Sequence, residues 1–125
     1  MLNSCKIMAF VPVADHHSAR PFYEGLLGLR VLSEDQFALA LDSNGIMLRV
    51  GAVPNFKPSQ STVAGWQVPD IAQAVGHLRE KGVKFLRYEG LQQDEHGVWT
   101  SPSKAKVAWF NDSAGNVLSL TEFPA

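Results

Sequence analysis

The stretch Met8-Ala-Phe-Val-Pro-Val-Ala-Asp15 aligns without a gap on a second stretch, Val63-Ala-Gly-Trp-Gln-Val-Pro-Asp70, and this internal repeat decides the fold. Apolar side chains alternate in both stretches, which is the period of a β-strand with one face on a core. Each stretch ends in an aspartate, a residue that favours a helix N-cap. The core-facing residues are predicted to be Ala9, Val11 and Val13 in the first strand and Ala64, Trp66 and Val68 in the second.

A helix is predicted after each aspartate. Gly28 and Gly82 lie where a helix C-cap is expected. Between each aspartate and its glycine, apolar residues recur every three or four positions. The apolar stripe consists of Ala19, Phe22, Tyr23, Leu26 and Leu27 in the first helix and of Ile71, Ala74, Val75 and Leu78 in the second.

Three further strands are predicted after each helix, because the two halves continue to match. The turns Asp42-Ser-Asn-Gly45 and Asp112-Ser-Ala-Gly115 are typical of hairpins between the third and fourth strands. Each half therefore has the order βαβββ. The strands after the helix are predicted at residues 29–32, 37–41 and 46–50 in the first half and at 83–86, 107–111 and 116–122 in the second.

The chain of 125 residues is predicted to be one domain, residues 1–125. Module one spans about residues 5–51, and module two spans about residues 61–123. Residues 52–60 between them lack apolar alternation and are predicted to be a linker. A second irregular stretch, residues 91–104, replaces the short turn of the first half with a longer loop.

Composition narrows the class of protein. The formal net charge of −1 gives no reason to expect nucleic acid or a membrane surface as a partner. The longest apolar run is too short to span a membrane and the N-terminus lacks the features of a signal peptide, so a cytoplasmic location is expected. The single cysteine, Cys5, excludes an intrachain disulfide and is predicted to be a half-buried residue at the start of the first strand.

Two motifs resemble those of the vicinal oxygen chelate superfamily, which includes glyoxalase I, extradiol dioxygenases and bleomycin-resistance proteins. Phe22-Tyr-Glu-Gly-Leu-Leu-Gly28 is similar to the first-helix pattern of that superfamily, and Trp109-Phe-Asn-Asp-Ser-Ala-Gly-Asn-Val117 is similar to its aromatic-Asp-Pro-Asp-Gly hairpin. Ser113 and Ala114 replace the usual Pro and Asp, a departure that affects only a turn. The resemblance covers nearly the whole chain. It implies an α+β fold of two βαβββ modules, which form a pair of curled mixed sheets around a central cavity.

The strand alternation predicts which side chains face that cavity, since alternate residues lie on opposite faces of a strand. Most of them are apolar and a few are polar, which is typical of a small-molecule site. The alternative is that large side chains fill the space as an ordinary core. The candidate ligand-binding residues are Met8, Phe10, Phe37, Leu39, Met47, Arg49, Val63, Gln67, Val107, Trp109, Ser119 and Thr121, and Pro12, Gly65 and Val117 share their faces.

The positions at which metal-dependent members of the superfamily hold their ligands carry Met8, Arg49, Val63 and Ser119 in this chain. None of these side chains is a competent ligand for a divalent first-row ion. Arg49 would also repel a metal ion, because its guanidinium is permanently charged. No metal and no cofactor are therefore expected.

The four histidines are the other possible ligands, and they are predicted to lie at different ends of the fold. His16 and His17 begin the first helix, His77 lies on the second and His96 lies in the long loop. Structural roles facing solvent are expected for all four. The polar run from Asp94 to His96 either caps the cavity mouth or is simply solvated.

The leading hypothesis is a metal-independent protein of the glyoxalase and bleomycin-resistance type that binds a small apolar or aromatic molecule. Catalytic residues are unknown, since no pair of a nucleophile and a base is recognisable. The alternative is a lyase-like or dioxygenase-like enzyme acting on a small metabolite. A stoichiometric amount of metal in the purified protein would favour this alternative. A purely structural or interaction domain is the third class.

Arg49 is expected to face the cavity, where only neutral side chains such as Gln67, Ser119 and Thr121 are predicted nearby. A buried guanidinium needs a partner, so the ligand is predicted to carry an anionic or strongly electron-rich oxygen group. The alternatives are a carboxylate from elsewhere in the fold or across a dimer interface, and a side chain that reaches water at the cavity rim. A homodimer is expected, because each module leaves sheet edges that need covering.

Overall fold

The computed structural model describes all residues from Met1 to Ala125 and shows two compact units, Met1–Pro58 and Ser59–Ala125. Each unit contains one helical segment and one four-stranded mixed sheet. In each sheet the first and fourth strands are parallel neighbours in contact, and the remaining pairs are antiparallel. The prediction of an α+β fold with two βαβββ modules is confirmed. No helix has the length and apolar character that crossing a membrane requires.

Unit 1 begins with a short 3₁₀ turn, Leu2–Ser4. Its sheet has the order β1-β4-β3-β2. The helical segment between the first two strands consists of α1 and a π-helical turn. The bounds are β1 Met8–Val13, α1 His16–Arg20, π-helical turn Pro21–Leu26, β2 Arg30–Glu34, β3 Ala38–Ser43 and β4 Ile46–Ala52.

The helical segment of unit 1 begins and ends at the predicted caps. The Asp15 carboxylate accepts a hydrogen bond from the N–H of His17, and Gly28 takes the positive φ of 74° that suits a residue after a helix. Pro21 has no N–H to continue the α-helical bonding, and the segment widens into a π-turn from this residue. Tyr23 in that turn is fully buried.

Unit 2 has the sheet order β5-β8-β7-β6. Asp70 caps α2 by accepting a hydrogen bond from the N–H of Gln73, and Glu122 at the end of β8 accepts one from the N–H of Ile71. Two carboxylates therefore satisfy N–H groups of the first turn. The bounds are β5 Thr62–Gln67, α2 Ile71–Glu80, β6 Trp99–Thr100, β7 Lys106–Asn111 and β8 Val117–Glu122.

The second strand of unit 2 corrects the sequence prediction. Residues 83–86 form only an isolated bridge, between Phe85 and Phe110, and the strand beside β7 is β6 instead. The chain touches β7 once near Phe85, leaves the sheet, and returns at Trp99. The long loop therefore interrupts the second strand. The prediction had placed the loop after a continuous strand.

The side chains of the third strand of unit 1 lie on the opposite faces to those predicted. Leu39 lies opposite Val50 and is fully buried (0% exposed), so it belongs to the core and not to the predicted binding face. Phe37 precedes β3 and is 68% exposed. The reason is the length of the hairpins: four residues lie between the paired residues Asp42 and Met47, whereas five lie between the equivalent pair, Asn111 and Val117. An ungapped alignment through these hairpins shifts the third strand by one residue, which turns every side chain to the other face.

Two further predictions about single residues are wrong. Cys5 is exposed and precedes β1, since the 3₁₀ turn and not the strand occupies this part of the chain. His16 is only 3% exposed, and its Nε2–H donates a hydrogen bond of 2.7 Å to the carbonyl oxygen of Asp35. The other three histidines, His17, His77 and His96, are exposed as expected.

Leu39→Ala tests the corrected face of β3. Removing a fully buried leucine side chain leaves a cavity, so we expect a loss of about 2 to 5 kcal/mol in the free energy of unfolding, measured by denaturant titration. The control is Phe37→Ala, for which a change within about 0.5 kcal/mol is expected because the ring is exposed. The opposite ranking of the two variants would contradict the register.

Candidate functional site

Each sheet has one face covered by its helical segment and one face that is not, here called the open face. Cross-strand partners share a face. In unit 1 the open face therefore carries Met8 and Phe10 from β1 and, opposite them, Met47 and Arg49 from β4. The structure thus places four of the predicted site residues together. The neighbouring strand β3 contributes Ala38, Ala40 and Asp42 to this face.

Arg49 lies at the centre of the open face of unit 1, with Phe10 on one side and Ala40 on the other. Its guanidinium forms no hydrogen bond or ion pair within the chain, and the residue is partly buried. Asp35, in the turn between β2 and β3, supplies a carboxylate in its vicinity, which sequence reasoning did not identify. The surroundings of Arg49 are therefore not wholly neutral, as they were predicted to be.

One oxygen of the Asp35 carboxylate, Oδ1, is engaged in the turn. It accepts hydrogen bonds from the N–H groups of Phe37 and Ala38, at 2.8 and 3.0 Å. These two bonds are the main cause that lowers the pKa of Asp35 below its ordinary value, and the positive charge of Arg49 adds a smaller effect. Asp35 therefore stays ionised and fixes the turn, while the guanidinium of Arg49 keeps its donors available for a ligand.

A small recess of about 290 Å³ lies at one end of this face. Asp42 in its wall faces Arg30 across β2 and β3, with 3.8 Å between their charged groups. Asp42 was missed because the third strand was predicted one residue out of register. The recess is lined by Lys6, Ile7, Met8, Leu32, Asp42, Gly45 and Met47.

The open face of unit 2 follows the predicted alternation. Ser119 in the central strand β8 lies between Gly65 of β5 and Trp109 of β7. Thr121, two residues further along, lies between Gln67 and Val107 in the same way. The structure therefore brings these predicted residues together on one face, with Val117 at its other end.

Three aromatic rings form a cluster on this face, here called the aromatic platform and defined as Tyr88, Trp99 and Trp109. Tyr88 meets Trp109 edge to face, with 5.4 Å between ring centroids, and Trp99 lies 6.1 Å from Trp109 at an interplanar angle of 34°. Both distances are in the range of favourable ring contacts. Sequence reasoning found only Trp109, because Tyr88 and Trp99 lie outside the strands that it recognised.

The loop of residues 87–98 holds Tyr88 in place and leads into Trp99, which pairs with Val107 of β7. The side-chain amide of Gln93 accepts a hydrogen bond from the N–H of Tyr88 and donates two, to the carbonyl oxygens of Leu86 and Gly97. Asp94 stabilises the turn at the tip of the loop, because its carboxylate accepts hydrogen bonds from the N–H groups of His96 and Val98. The run from Asp94 to His96 is thus a folded turn. The outer side of the loop borders an open groove of about 500 Å³, which Trp99 also lines.

The residues at the expected metal positions do not fit a metal ion. The Met8 thioether and the Arg49 guanidinium lie on the open face of unit 1, whereas Ser119 lies on that of unit 2. Val63 falls at an irregularity in the pairing of β5 with β8 and has no donor atom. No group of three or more His, Cys, Asp or Glu side chains is placed to hold a metal ion. This donor set offers one hydroxyl and one thioether, which are poor ligands for divalent first-row ions.

Two βαβββ units with open sheet faces define the class of glyoxalase-like folds. The chain belongs to the Glyoxalase/Bleomycin resistance protein/Dioxygenase superfamily, because the model of that family matches residues 6–120. The resemblance inferred from the sequence is confirmed. No curated protein gives a significant match to the sequence.

Solved structures with the same fold include both binding proteins and an enzyme. The antibiotic binding protein TnmS3 from Streptomyces sp. CB03234 is 23% identical with a TM-score of 0.74, and the match covers 99% of each chain. A bleomycin-binding protein complexed with bleomycin is 20% identical with a TM-score of 0.74, covering 97% of this chain and 100% of that one. Lactoylglutathione lyase from Agrobacterium tumefaciens is 14% identical with a TM-score of 0.72, covering 95% and 93%. At these identities the likeness shows the fold alone.

Gln93→Met tests the role of the loop bonds. Methionine has a similar length but cannot replace the three hydrogen bonds, so we expect a loss of about 1 to 3 kcal/mol in local stability. Hydrogen exchange should show faster exchange of the Tyr88 and Val98 amides, with the amides of β7 and β8 unchanged. Gln92→Met, at the exposed neighbouring position, is the control and should leave all of these rates as they are. Equal exchange in both variants would show that Gln93 does not hold the loop.

Proposed function

We propose that the protein binds a small molecule with a planar aromatic part, without a metal ion and without chemical conversion. The observation that carries this proposal is the aromatic platform on the open face of unit 2. Trp109 is partly exposed there, and its ring is held by edge-to-face contact with Tyr88 and by Trp99. Rings fixed in this way lose little conformational freedom when they stack on a ligand, which favours binding.

The polar groups of the face support binding over catalysis. The polar groups are the hydroxyls of Ser119 and Thr121 and the side-chain amide of Gln67. No histidine, lysine or carboxylate of the strands lies on this face. A serine hydroxyl needs an adjacent base to act as a nucleophile. Neutral groups can orient a ligand by hydrogen bonds, as in most small-molecule sites.

We also propose that an anionic or strongly electron-rich oxygen group of a ligand binds Arg49 on the open face of unit 1. The guanidinium has five N–H donors in a planar fork that matches a carboxylate or phosphate. Its donors are not used within the chain, although the carboxylate of Asp35 lies nearby; Oδ1 of that carboxylate accepts two backbone N–H groups instead. An acidic ligand group would use these donors and form charge-assisted hydrogen bonds with the guanidinium.

A homodimer, a cytoplasmic location and a central cavity between the modules stay predictions. Exposed apolar side chains on unit 1 support the dimer, because a second chain could cover them. Phe10 is 66% exposed on the open face, and Ile7, Met8 and Phe37 are exposed as well. Strand β1 also ends its sheet with an unpaired edge, which another strand could cover.

Trp109→Ala tests the platform. In a thermal-shift screen against small metabolites and antibiotics, a ligand at about a hundred times its dissociation constant should stabilise the parent protein by roughly 2.7 kcal/mol. The shift caused by an aromatic ligand should vanish in Trp109→Ala. The control is Trp66→Phe, since Trp66 lies on the other face of the same sheet, opposite Leu120. The proposal fails if no aromatic compound shifts the parent, or if the shift survives in Trp109→Ala.

Arg49→Met tests the anionic group. Methionine keeps much of the side-chain length but removes the charge, so acidic ligands of the screen should lose their shift while neutral ones keep it. Arg30→Met is the matched control, because Arg30 is on the same face but is exposed and already has Asp42 as its partner. Acidic ligands that stabilise Arg49→Met as strongly as the parent protein would contradict this proposal.

A further inference from the structure

Ser119 carries a hydroxyl that the fold leaves without a partner. The residue is only 8% exposed, yet its side chain forms no hydrogen bond within the chain. The hydroxyl is nevertheless not fully enclosed, so a small molecule can reach it. A hydroxyl that is largely shielded from water and still reachable gains more from a ligand hydrogen bond than an exposed one does.

Gly65 leaves room for this hydroxyl. A Cβ atom built on Gly65 would be 2.4 Å from the Oγ atom of Ser119, so no other residue fits at position 65 without displacing the hydroxyl. The φ of Gly65 is not positive, so the backbone conformation itself does not require glycine. Glycine at this point of β5 therefore gives the Ser119 hydroxyl the space for its present rotamer. Such a glycine in a strand is typical of a place where another group approaches closely.

The position of the hydroxyl relative to Trp109 indicates what it can bind. Ser119 and Trp109 are direct cross-strand partners, so their Cβ atoms lie about 5 Å apart on the same face. A planar ring stacked on Trp109 would thus bring one of its edges to the Ser119 hydroxyl. Thr121 and Gln67 are further along the face and more exposed, so water competes with them for a ligand.

We infer that Ser119, whose hydroxyl occupies the space beside Gly65, is the specificity-determining residue of unit 2. It selects planar aromatic molecules with a hydroxyl or carbonyl oxygen on the ring edge. This inference rests on the proposed function, since it requires that rings bind at Trp109. A serine hydroxyl both donates and accepts, so phenols and ring carbonyls are both suitable partners.

Two probes that share a ring system test the inference. 2-Naphthol and naphthalene differ by one hydroxyl, and their dissociation constants can be measured by ligand-observed NMR titration. The parent protein should bind 2-naphthol about tenfold more tightly than naphthalene, which corresponds to one hydrogen bond. Ser119→Ala should remove this preference and leave naphthalene binding unchanged. Gly65→Ala should weaken the preference as well, because its Cβ displaces the hydroxyl.

The controls separate this inference from the proposed function. Thr100→Val removes a hydroxyl on the other face of the same sheet, opposite Lys106, and should keep the tenfold preference. Trp109→Ala should weaken both probes together. Equal binding of the two probes to the parent protein, or a preference that survives in Ser119→Ala, overturns the role of Ser119, while the proposed function stands if Trp109→Ala still weakens both. Failure of both probes to bind the parent protein overturns both.

Discussion

The length of the hairpin between the third and fourth strands determines what each open face can do. In unit 1 the turn consists of Asn44 and Gly45, whose φ values of 50° and 88° are those of a tight two-residue hairpin. In unit 2 the loop is longer, and the Asp112 carboxylate holds it by accepting the N–H groups of Ala114 and Asn116. Because strand alternation has a period of two, this difference decides which residues of the third strand share a face with the central strand.

The consequence is an unequal pair of faces. The cross-strand partner of Arg49 is Ala40, whereas the corresponding partner of Ser119 is Trp109. A small residue beside Arg49 leaves the guanidinium accessible above the sheet. A large ring beside Ser119 shields the hydroxyl and offers a stacking surface. Two modules that repeat in sequence have thereby acquired different chemistry on the same framework, a charge in one and an aromatic surface in the other.

The sequence predicted those features that depend on local patterns. Asp15 and Asp70 cap the helices as expected, and the alternation in β1, β5 and β8 placed Ser119 on the correct face. Leu39 was misplaced because its face depends on a hairpin length, and a single inserted residue leaves no trace in the alternation itself. His16 was misjudged because its burial depends on the carbonyl oxygen of Asp35, nineteen residues away.

The aromatic platform could not be predicted because its geometry depends on hydrogen bonds of a loop. Tyr88 and Trp99 belong to a stretch without periodicity. Gln93 binds the backbone of the loop at three points, one of them Tyr88, and the pairing of Trp99 with Val107 brings the other ring beside Trp109. Polar side chains that bind backbone groups impose no repeating pattern on a sequence, in contrast to apolar side chains that face a core. The same loop interrupts the edge strand beside β7. The sheet therefore has fewer backbone pairs at this edge, and the rings of Tyr88 and Trp99 lie there beside Trp109. A binding surface built in this way can change its ligand by substitutions in the loop, while the register of β7 and β8 continues to hold Trp109 and Ser119 side by side.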